Sequence, residues 1–421
     1  MERTQDHREP DIRMRRYSDP ADRSAAIRIW NEVGWIEDEK REQEGLAVFL
    51  SGADTWLAEL RNTPECMVAT MPGTVMHLSQ EIRMRAVMAV CTSRVGRRQG
   101  LARRLTAHAL ATDAGEGELL SLLGMFDQGF YDHLGYGTGA YERFISFDPA
   151  SLRVEGRPPV PHRLTMKDAA LIHESRLHRM RIHGSCTILP EAASSAEMIL
   201  SKGGFGLGYF SEDGRLTHHL WAVPKGENGP YRIDWLVYET PEQFHELLLL
   251  IKGLGDQVYS VQMKEPRWVH MQDFLDQPFR NHLRTKRSEL ESSWESSAYW
   301  QVRILDLEKV MAITSVPGRG QISFNLQLED PIARYLQDSD GWSGIAGTYV
   351  VTVGEVSHAR PGRENALPTM RATVNAFSRL WFGAASPLTL ALTGEIEAPA
   401  ELLEELGWIL CLPIPSLDWV F

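Results

Sequence analysis

Residues 85–105 read RAVMAVCTSRVGRRQGLARRL, and the two halves of this stretch have different periods. Residues 86–92 are small, apolar and suited to a strand. Beyond the basic turn, Leu101, Leu105, Ala109 and Leu110 fall on or near one face of a helix. A strand therefore runs through Arg97, Arg98, Gln99 and Gly100 directly into a helix. Such a turn can aim several backbone N–H groups at one point, and a helix N-terminus adds about half a positive charge. The arginines add full charges. The expected product is an anion site suited to a pyrophosphate. Gly100 keeps a side chain from blocking close approach of the backbone.

The spacing fits neither the phosphate loop GxxxxGK[ST] nor the dinucleotide fingerprint GxGxxG. It is Arg-x-x-Gly-x-Ala, from Arg97 to Ala102, preceded by a strand. This resembles the acyl-CoA pyrophosphate loop of the GNAT acetyltransferases. The competing reading is a surface helix that merely begins with arginines, so the rest of the chain has to decide.

The chain has 421 residues, enough for two or three domains. Its formal net charge of −12 argues against non-specific binding to nucleic acid or to an anionic membrane. Cys66, Cys91, Cys186 and Cys411 are far apart and form no CxxC pair, so neither a zinc site nor a disulfide framework is expected. A reducing cytoplasm is the default. No apolar run reaches 18 residues, so no membrane span is expected. The opening MERTQDHREPDIRMRR lacks the apolar centre of a secretory leader.

Strands are expected at 12–17, 55–60, 66–71, 81–92, 119–126 and 141–147. Helices are expected at 20–33 and 97–111, with a loop at Pro72-Gly73 and a short helical turn at 128–133. The acidic segment 35–41 (WIEDEKR) is either a solvated face or a cation-attracting rim of a substrate pocket. Residues 153–161 (RVEGRPPVP) read as a linker. Beyond it, a hairpin over 206–223, a strand at 231–238 and a helix at 241–252 follow. His173, His178 and His183 are spaced by five, so they lie about 140° apart on a helix and cannot converge on one metal. The last third carries strand candidates at 299–306, 320–328 and 347–353. Helices are expected at 373–382, with Gly383 as its cap, at 387–392 and at 399–406.

The order of elements in residues 1–150 is that of a GNAT domain. The segment 129–137, GFYDHLGYG, then sharpens the resemblance: an aromatic-Tyr-x-x-apolar-Gly-Tyr-Gly run resembles the Eis-type branch of that family. Residues 151–300 resemble a second GNAT unit without an Arg-x-x-Gly loop. Residues 301–421, with LWFGAASPLTLALTGEIE and the ending PIPSLDWVF, resemble the sterol-carrier-like domain that closes such proteins. The resemblance implies an α/β (α+β) chain of two tandem GNAT folds followed by that domain, with only the first unit binding CoA.

It also implies an acetyl-CoA-dependent N-acetyltransferase with no metal, acting by direct attack of a primary amine on the thioester. The acceptor would be a cationic small molecule or a lysine side chain. Val90, Cys91 and Thr92 would hold the pantetheine and thioester carbonyl. Arg97, Arg98, Gln99, Gly100, Leu101, Ala102 and Arg103 would cradle the pyrophosphate. Phe126 and Asp127 complete the cofactor set, although relatives often carry Ser-Glu there. Tyr131 would be the general acid, and the carboxylate of Phe421 the base. Tyr136 is the alternative to Tyr131, and a packed aromatic or an inert chain end are the plain readings of the two. Trp35, Glu37, Asp38 and Asp418 are the acceptor-binding candidates. Cys91, with no histidine near it in sequence, reads as a small buried hydrophobe rather than a nucleophile. A homo-oligomer, a hexamer by resemblance, is expected. A regulator that binds CoA or another metabolite without turnover is the competing function, and a lipid carrier the third.

Overall fold

The structure is a computed structural model that describes residues 12–37, 39–127, 129–278 and 286–419. The first third contains β1 (Ile12–Arg16), α1 (Arg23–Val33), α2 (Lys40–Ser51), β2 (Asp54–Leu60), β3 (Thr63–His77) and β4 (Gln80–Thr92). Then follow α3 (Leu101–Gly115), β5 (Leu120–Gly124), β6 (Gly137–Thr138) and β7 (Glu142–Phe147). The middle contains β8 (His162–Leu164), α4 (Ala169–His178), β9 (Cys186–Ile188), α5 (Glu191–Leu200), β10 (Phe205–Phe210) and β11 (Leu216–Pro224). After these come β12 (Tyr231–Val237), α6 (Pro241–Lys252), β13 (Val261–Lys264) and β14 (Ser293–Ser297). The last part contains β15 (Trp300–Ile304), α7 (Leu307–Ile313), β16 (Ile322–Glu329), β17 (Gly347–Val353) and β18 (His358–Pro361). It ends with β19 (Thr369–Thr373), α8 (Val374–Trp381), α9 (Pro387–Leu392), β20 (Ile396–Glu397) and α10 (Ala400–Ile409).

These form a mixed α/β fold with three sheets. The first runs β1-β2-β3-β4-β5-β15-β6, with β9 added to β3. The second runs β14-β7-β13-β12-β11-β10-β8, and the third β18-β17-β16-β19-β20. Residues 141–147, expected to close the first sheet, instead enter the second as β7, between β14 and β13. Their place in the first sheet is taken by β15, which pairs with β5 and β6. A period-2 pattern fixes which faces are buried but not which sheet supplies the partner, so the exchange is invisible to periodicity. Cuts at 150 and 300 therefore do not separate the sheets: β7 leaves the first before 150, and β15 returns to it after 300.

One further expectation is corrected. β3 runs unbroken through Pro72-Gly73, where a loop was expected. Pro72 lies between the stretch that pairs with β2, ending at Thr70, and the stretch that pairs with β9, starting at Gly73, so its missing N–H falls where the ladder changes partner. The acidic segment, open in sequence to a solvated helix face or a loop, leads into α2, whose length to Ser51 the sequence did not announce. α2 packs on α5 through Gly45, where a Cβ would lie 2.8 Å from the Leu200 side chain.

The second sheet repeats the topology of the first in one respect. β4-α3-β5 and β12-α6-β13 are both parallel crossovers. The helix N-termini differ. α6 is capped by the Thr240 side chain, with Pro at the first turn and Glu242 beside it, which leaves no basic, donor-rich turn for a phosphate. One contiguous apolar core joins the first sheet to the last third of the chain, from Trp30 and Cys91 to Trp300, Trp381 and Trp419. α6 and the second sheet bury a separate one.

Candidate active site

β4 and β5 pair in parallel only from Met84 with Leu120 to Val87 with Leu123. There the strands part. Met88 is an extra residue in β4, because Thr70 faces Val87 and Ala69 faces Ala89, and such a bulge bends the strand away from its neighbour. Beyond Gly124, Met125 donates its N–H to Tyr299 O at 2.7 Å, which draws the chain toward β15. Among the described residues, the β4 edge carrying Val90, Cys91 and Thr92 thus has no strand partner on the β5 side.

The basic turn lies just past this opening. Ser93 is pinned by the Glu65 carboxylate, and Gly96 N–H donates to Ser93 Oγ at 3.1 Å. Arg98 and Gly100 adopt left-handed backbone, with φ of 61° and 74°. A Cβ on Gly100 would meet no protein atom within 4 Å, so its demand for glycine comes from φ and from what must approach it, not from packing. α3 has no side-chain cap, and Arg104 N donates to Gly100 O at 3.2 Å. The amides of Leu101, Ala102 and Arg103 therefore face outward with the helix dipole behind them. Arg97, Arg98 and Gln99 are exposed beside them. Arg103 lies over the Phe130 ring, with 5.3 Å from Cζ to the centroid.

That contact links the turn to the tyrosine loop. Phe126, Phe130 and Tyr131 form an aromatic cluster with centroids 4.9 to 5.6 Å apart. Phe126 and Asp127 are exposed. The two tyrosines separate cleanly. Tyr136 is fully buried, and its hydroxyl shares a 2.6 Å hydrogen bond with Ser121 Oγ. Tyr131 is 2% exposed, and its hydroxyl has no hydrogen-bond partner among the described residues. Burial raises the Tyr131 pKa, and the thiols of Cys91 and Cys66 raise it further, so the phenol is protonated at neutral pH. Burial also pushes the Cys91 thiol well up. It therefore lacks the thiolate character that a nucleophile needs.

The last described residues, Ser416 to Trp419, are held by a separate set of contacts. Asp418 accepts from Arg179 Nε and Nη2 at 2.9 and 2.7 Å and from Cys186 N–H at 3.1 Å. Burial raises the Asp418 pKa, but the guanidinium outweighs it and holds the carboxyl below its ordinary value. Arg176 is sandwiched between Trp235 and Trp419, at 4.0 and 3.5 Å from the ring centroids. Its charge is matched by Glu197 at 2.9 Å. Glu142 receives Leu417 N–H at 3.0 Å and Ser416 Oγ at 2.8 Å, and Lys264 donates to Leu417 O. A chamber of about 100 Å³ lies against this segment, walled by Trp235, Tyr238, Lys264, Arg267, Trp268 and Asp418. Through Trp235 and Lys264 it meets a wider cleft of about 1180 Å³.

Of the acceptor candidates, Trp35 packs edge-on against Trp30 at 5.3 Å, and Trp30 sits beside the Cys91 thiol. Glu37 points elsewhere: with Glu39 and Glu42 it surrounds Lys202, at 3.8, 3.1 and 3.1 Å. These ion pairs tie α2 to the segment after α5, with Glu37 and Glu39 still largely exposed. Asp418 touches the chamber, but its carboxylate is engaged by Arg179. Asp38 and Phe421 lie outside the described residues.

No group of three metal-ligating side chains occurs among the described residues. His173 is hydrogen-bonded to Ser194 and to Leu189 O, His178 to its own helix, and His183 packs against His77. Sequence reasoning missed Glu142, Arg176, Arg179 and Lys264. Only the basic run RLHRMR, residues 176–181, gave any signal for them.

Residues 14–139 match the acetyltransferase (GNAT) domain family. The chain carries a GNAT acetyltransferase domain, and the splayed strands and basic turn lie inside it. The fold extends over the whole chain in solved structures. An Enterococcus faecalis V583 protein, described as a probable N-acyltransferase, superposes with a TM-score of 0.78 at 17% identity, over 97% of this chain and 99% of that one. A GCN5-related N-acetyltransferase from Anabaena variabilis gives 0.77 at 15% identity, over 97% and 100%. Eis1 from Mycobacterium abscessus gives 0.72 at 13% identity, over 97% and 100%. No curated protein matches the chain in sequence. No helix among the described residues is long and apolar enough to cross a membrane.

Proposed function

We propose that the protein transfers the acetyl group of acetyl-CoA to a primary amine by direct attack on the thioester, with Tyr131 as the general acid. The observation that carries this reading is Tyr131 itself, a buried ring whose hydroxyl has no hydrogen-bond partner among the described residues, set between the open β4 edge and the donor-rich turn of α3. The turn amides and Arg97, Arg98 and Arg103 bind the pyrophosphate. The backbone of Val90 to Thr92 aligns the pantetheine and polarises the thioester carbonyl. The neutral amine attacks the carbonyl carbon, so a C–N bond forms and the oxygen takes the charge. As the C–S bond breaks, Tyr131 gives its proton to the departing sulfur, yielding CoA thiol. The amine proton passes to a base, and the phenolate of Tyr131 recovers a proton.

For that base we propose the carboxylate of Phe421. The anchoring of Ser416, Leu417, Asp418 and Trp419 supports an ordered approach of the chain end. We take the acceptor to be a small molecule or a lysine side chain. A cationic acceptor draws no support from Glu37, which sits by Lys202. Further parts of the proposal follow the Eis-type resemblance: a second GNAT unit that does not bind CoA, a sterol-carrier-like third region, a hexamer and a cytoplasmic location. The self-capped α6 agrees with the first of these. The test is a tag placed after Phe421 against one placed before Met1, read by thiol release. Loss of turnover in the first protein alone is expected. Equal turnover in both removes Phe421 from the mechanism.

A further inference from the structure

Gly135, Gly137 and Gly139 recur at every second residue after the tyrosine turn. At each of them a Cβ would collide with the last third of the chain, and Gly135 in addition has a left-handed φ of 81°. A Cβ on Gly135 would lie 1.6 Å from Arg303 Nη1, one on Gly137 2.5 Å from Arg379 Cγ, and one on Gly139 2.3 Å from the Trp300 ring. The tyrosine loop is thus moulded onto β15 and α8.

The hydrogen bonds follow the same surface. Arg303, fully buried and paired with Asp330, donates to Leu134 O. Gln301 Nε2 donates to Asp132 Oδ1 at 2.8 Å. Asn375 Nδ2 bridges Asp132 O and Tyr136 O at 2.8 and 2.7 Å. Leu134 and Asp132 belong to the single helical turn that Tyr131 begins, a turn too short to hold itself in water. Successive residues of a strand face opposite ways, and β15 uses both faces. Gln301 and Arg303 hold the tyrosine turn, while Trp300 donates its indole N–H to Glu142 Oε1 at 3.1 Å. Glu142 is the residue that receives Ser416 and Leu417 of the terminal segment.

We infer that β15, with Asn375 of α8, is the fixture that positions Tyr131 relative to the chain end. Gln301, Arg303 and Asn375 act as positioning residues on the acid, and Trp300 with Glu142 on the terminal segment. The inference rests on Tyr131 being the general acid. It makes the last third of the chain part of the catalytic apparatus at both ends of the reaction centre.

The test uses the full chain with Asn375→Ala, and Gln301→Met as a second variant should the first fold poorly. Each is read by kcat, by KM for acetyl-CoA and by the alkaline limb of the kcat–pH profile. Misplacing the acid lowers kcat by roughly ten- to a hundredfold, while the KM for acetyl-CoA stays within about twofold. A loosened turn exposes the buried Tyr131 further to water, so the alkaline limb moves down toward the ordinary tyrosine value of ~10. In a Tyr131→Phe background neither variant lowers turnover further. An unchanged kcat and alkaline limb in both variants, with Tyr131→Phe inactive, overturns the inference alone. So does an undiminished effect of either variant in the Tyr131→Phe background. Full turnover of Tyr131→Phe overturns both the inference and the assignment of the acid.

Discussion

Removing one hydroxyl at a time from the two tyrosines of the loop should have opposite consequences. Tyr136→Phe breaks the 2.6 Å bond to Ser121 Oγ. Ser121 is fully buried, so its hydroxyl is left without its partner, and the stability loss should be about 1–3 kcal/mol. Tyr131→Phe breaks no hydrogen bond among the described residues and keeps the ring that packs on Phe126 and Phe130. Its stability should change by less than about 1 kcal/mol. Turnover should behave the other way round. Loss of a general acid lowers kcat by about 10²–10⁴-fold, whereas Tyr136→Phe should keep most of its activity once folded. Urea denaturation and thiol release from acetyl-CoA, measured on the same preparations, separate the two effects. Wild-type turnover in Tyr131→Phe, or loss of turnover in a fully stable Tyr136→Phe, would refute the assignment.

Gly100 offers a second check. Its φ of 74° costs an L-residue roughly 1–2 kcal/mol, but no protein atom obstructs a Cβ. Gly100→Val should therefore weaken acetyl-CoA binding in calorimetry far more than Gly100→Asn, since asparagine tolerates left-handed backbone; equal affinities would remove the turn from the site. The His77–His183 pair makes stability depend on pH. Burial, helped for His77 by His183, depresses these pKa values to about 3 and about 4. The unfolded chain, with histidines near ~6.5, takes up protons first as pH falls. The contribution is complete above about pH 6.5 and drains away toward pH 4, by up to ~1.4 kcal/mol per pH unit for each histidine. Melting scans from pH 7 to 5 should show a falling Tm, with a shallower slope for His77→Phe. Parallel slopes for the two proteins would contradict this.

How much of this could be read from the sequence depends on how local each feature is. The turn from Arg97 to Ala102 was legible because a strand, a glycine and a helix follow one another without a break. The helix before Gly383 and the one beginning at Pro241 were legible for the same reason. Tyr131 came from a family pattern rather than from physics, and what separates it from its neighbour, the Phe126–Phe130 contacts and the Tyr136–Ser121 bond, is tertiary. The exchange of β7 for β15 was not legible, because both strands alternate equally well and the choice of sheet depends on residues more than 150 positions apart. The glycines at 135 and 137 read simply as part of a loop. With Gly139 they instead lie against Arg303, Arg379 and Trp300, which no local pattern could announce. The partner of the acidic segment 35–41 was not legible either, since Lys202 lies in a distant part of the chain.

The central claim is chemical turnover at the first-domain site, and CoA thiol release tests it most directly. The acetyl-CoA panel should include aminoglycosides, polyamines, lysine peptides and amino sugars, each run with the wild-type chain and with Tyr131→Phe. The account predicts thiol release with matching amounts of acetylated amine for at least one acceptor, lowered by about 10²–10⁴-fold by the substitution. Tight binding of acetyl-CoA with no thiol released across the whole panel would contradict it and favour a protein that binds CoA without turning it over.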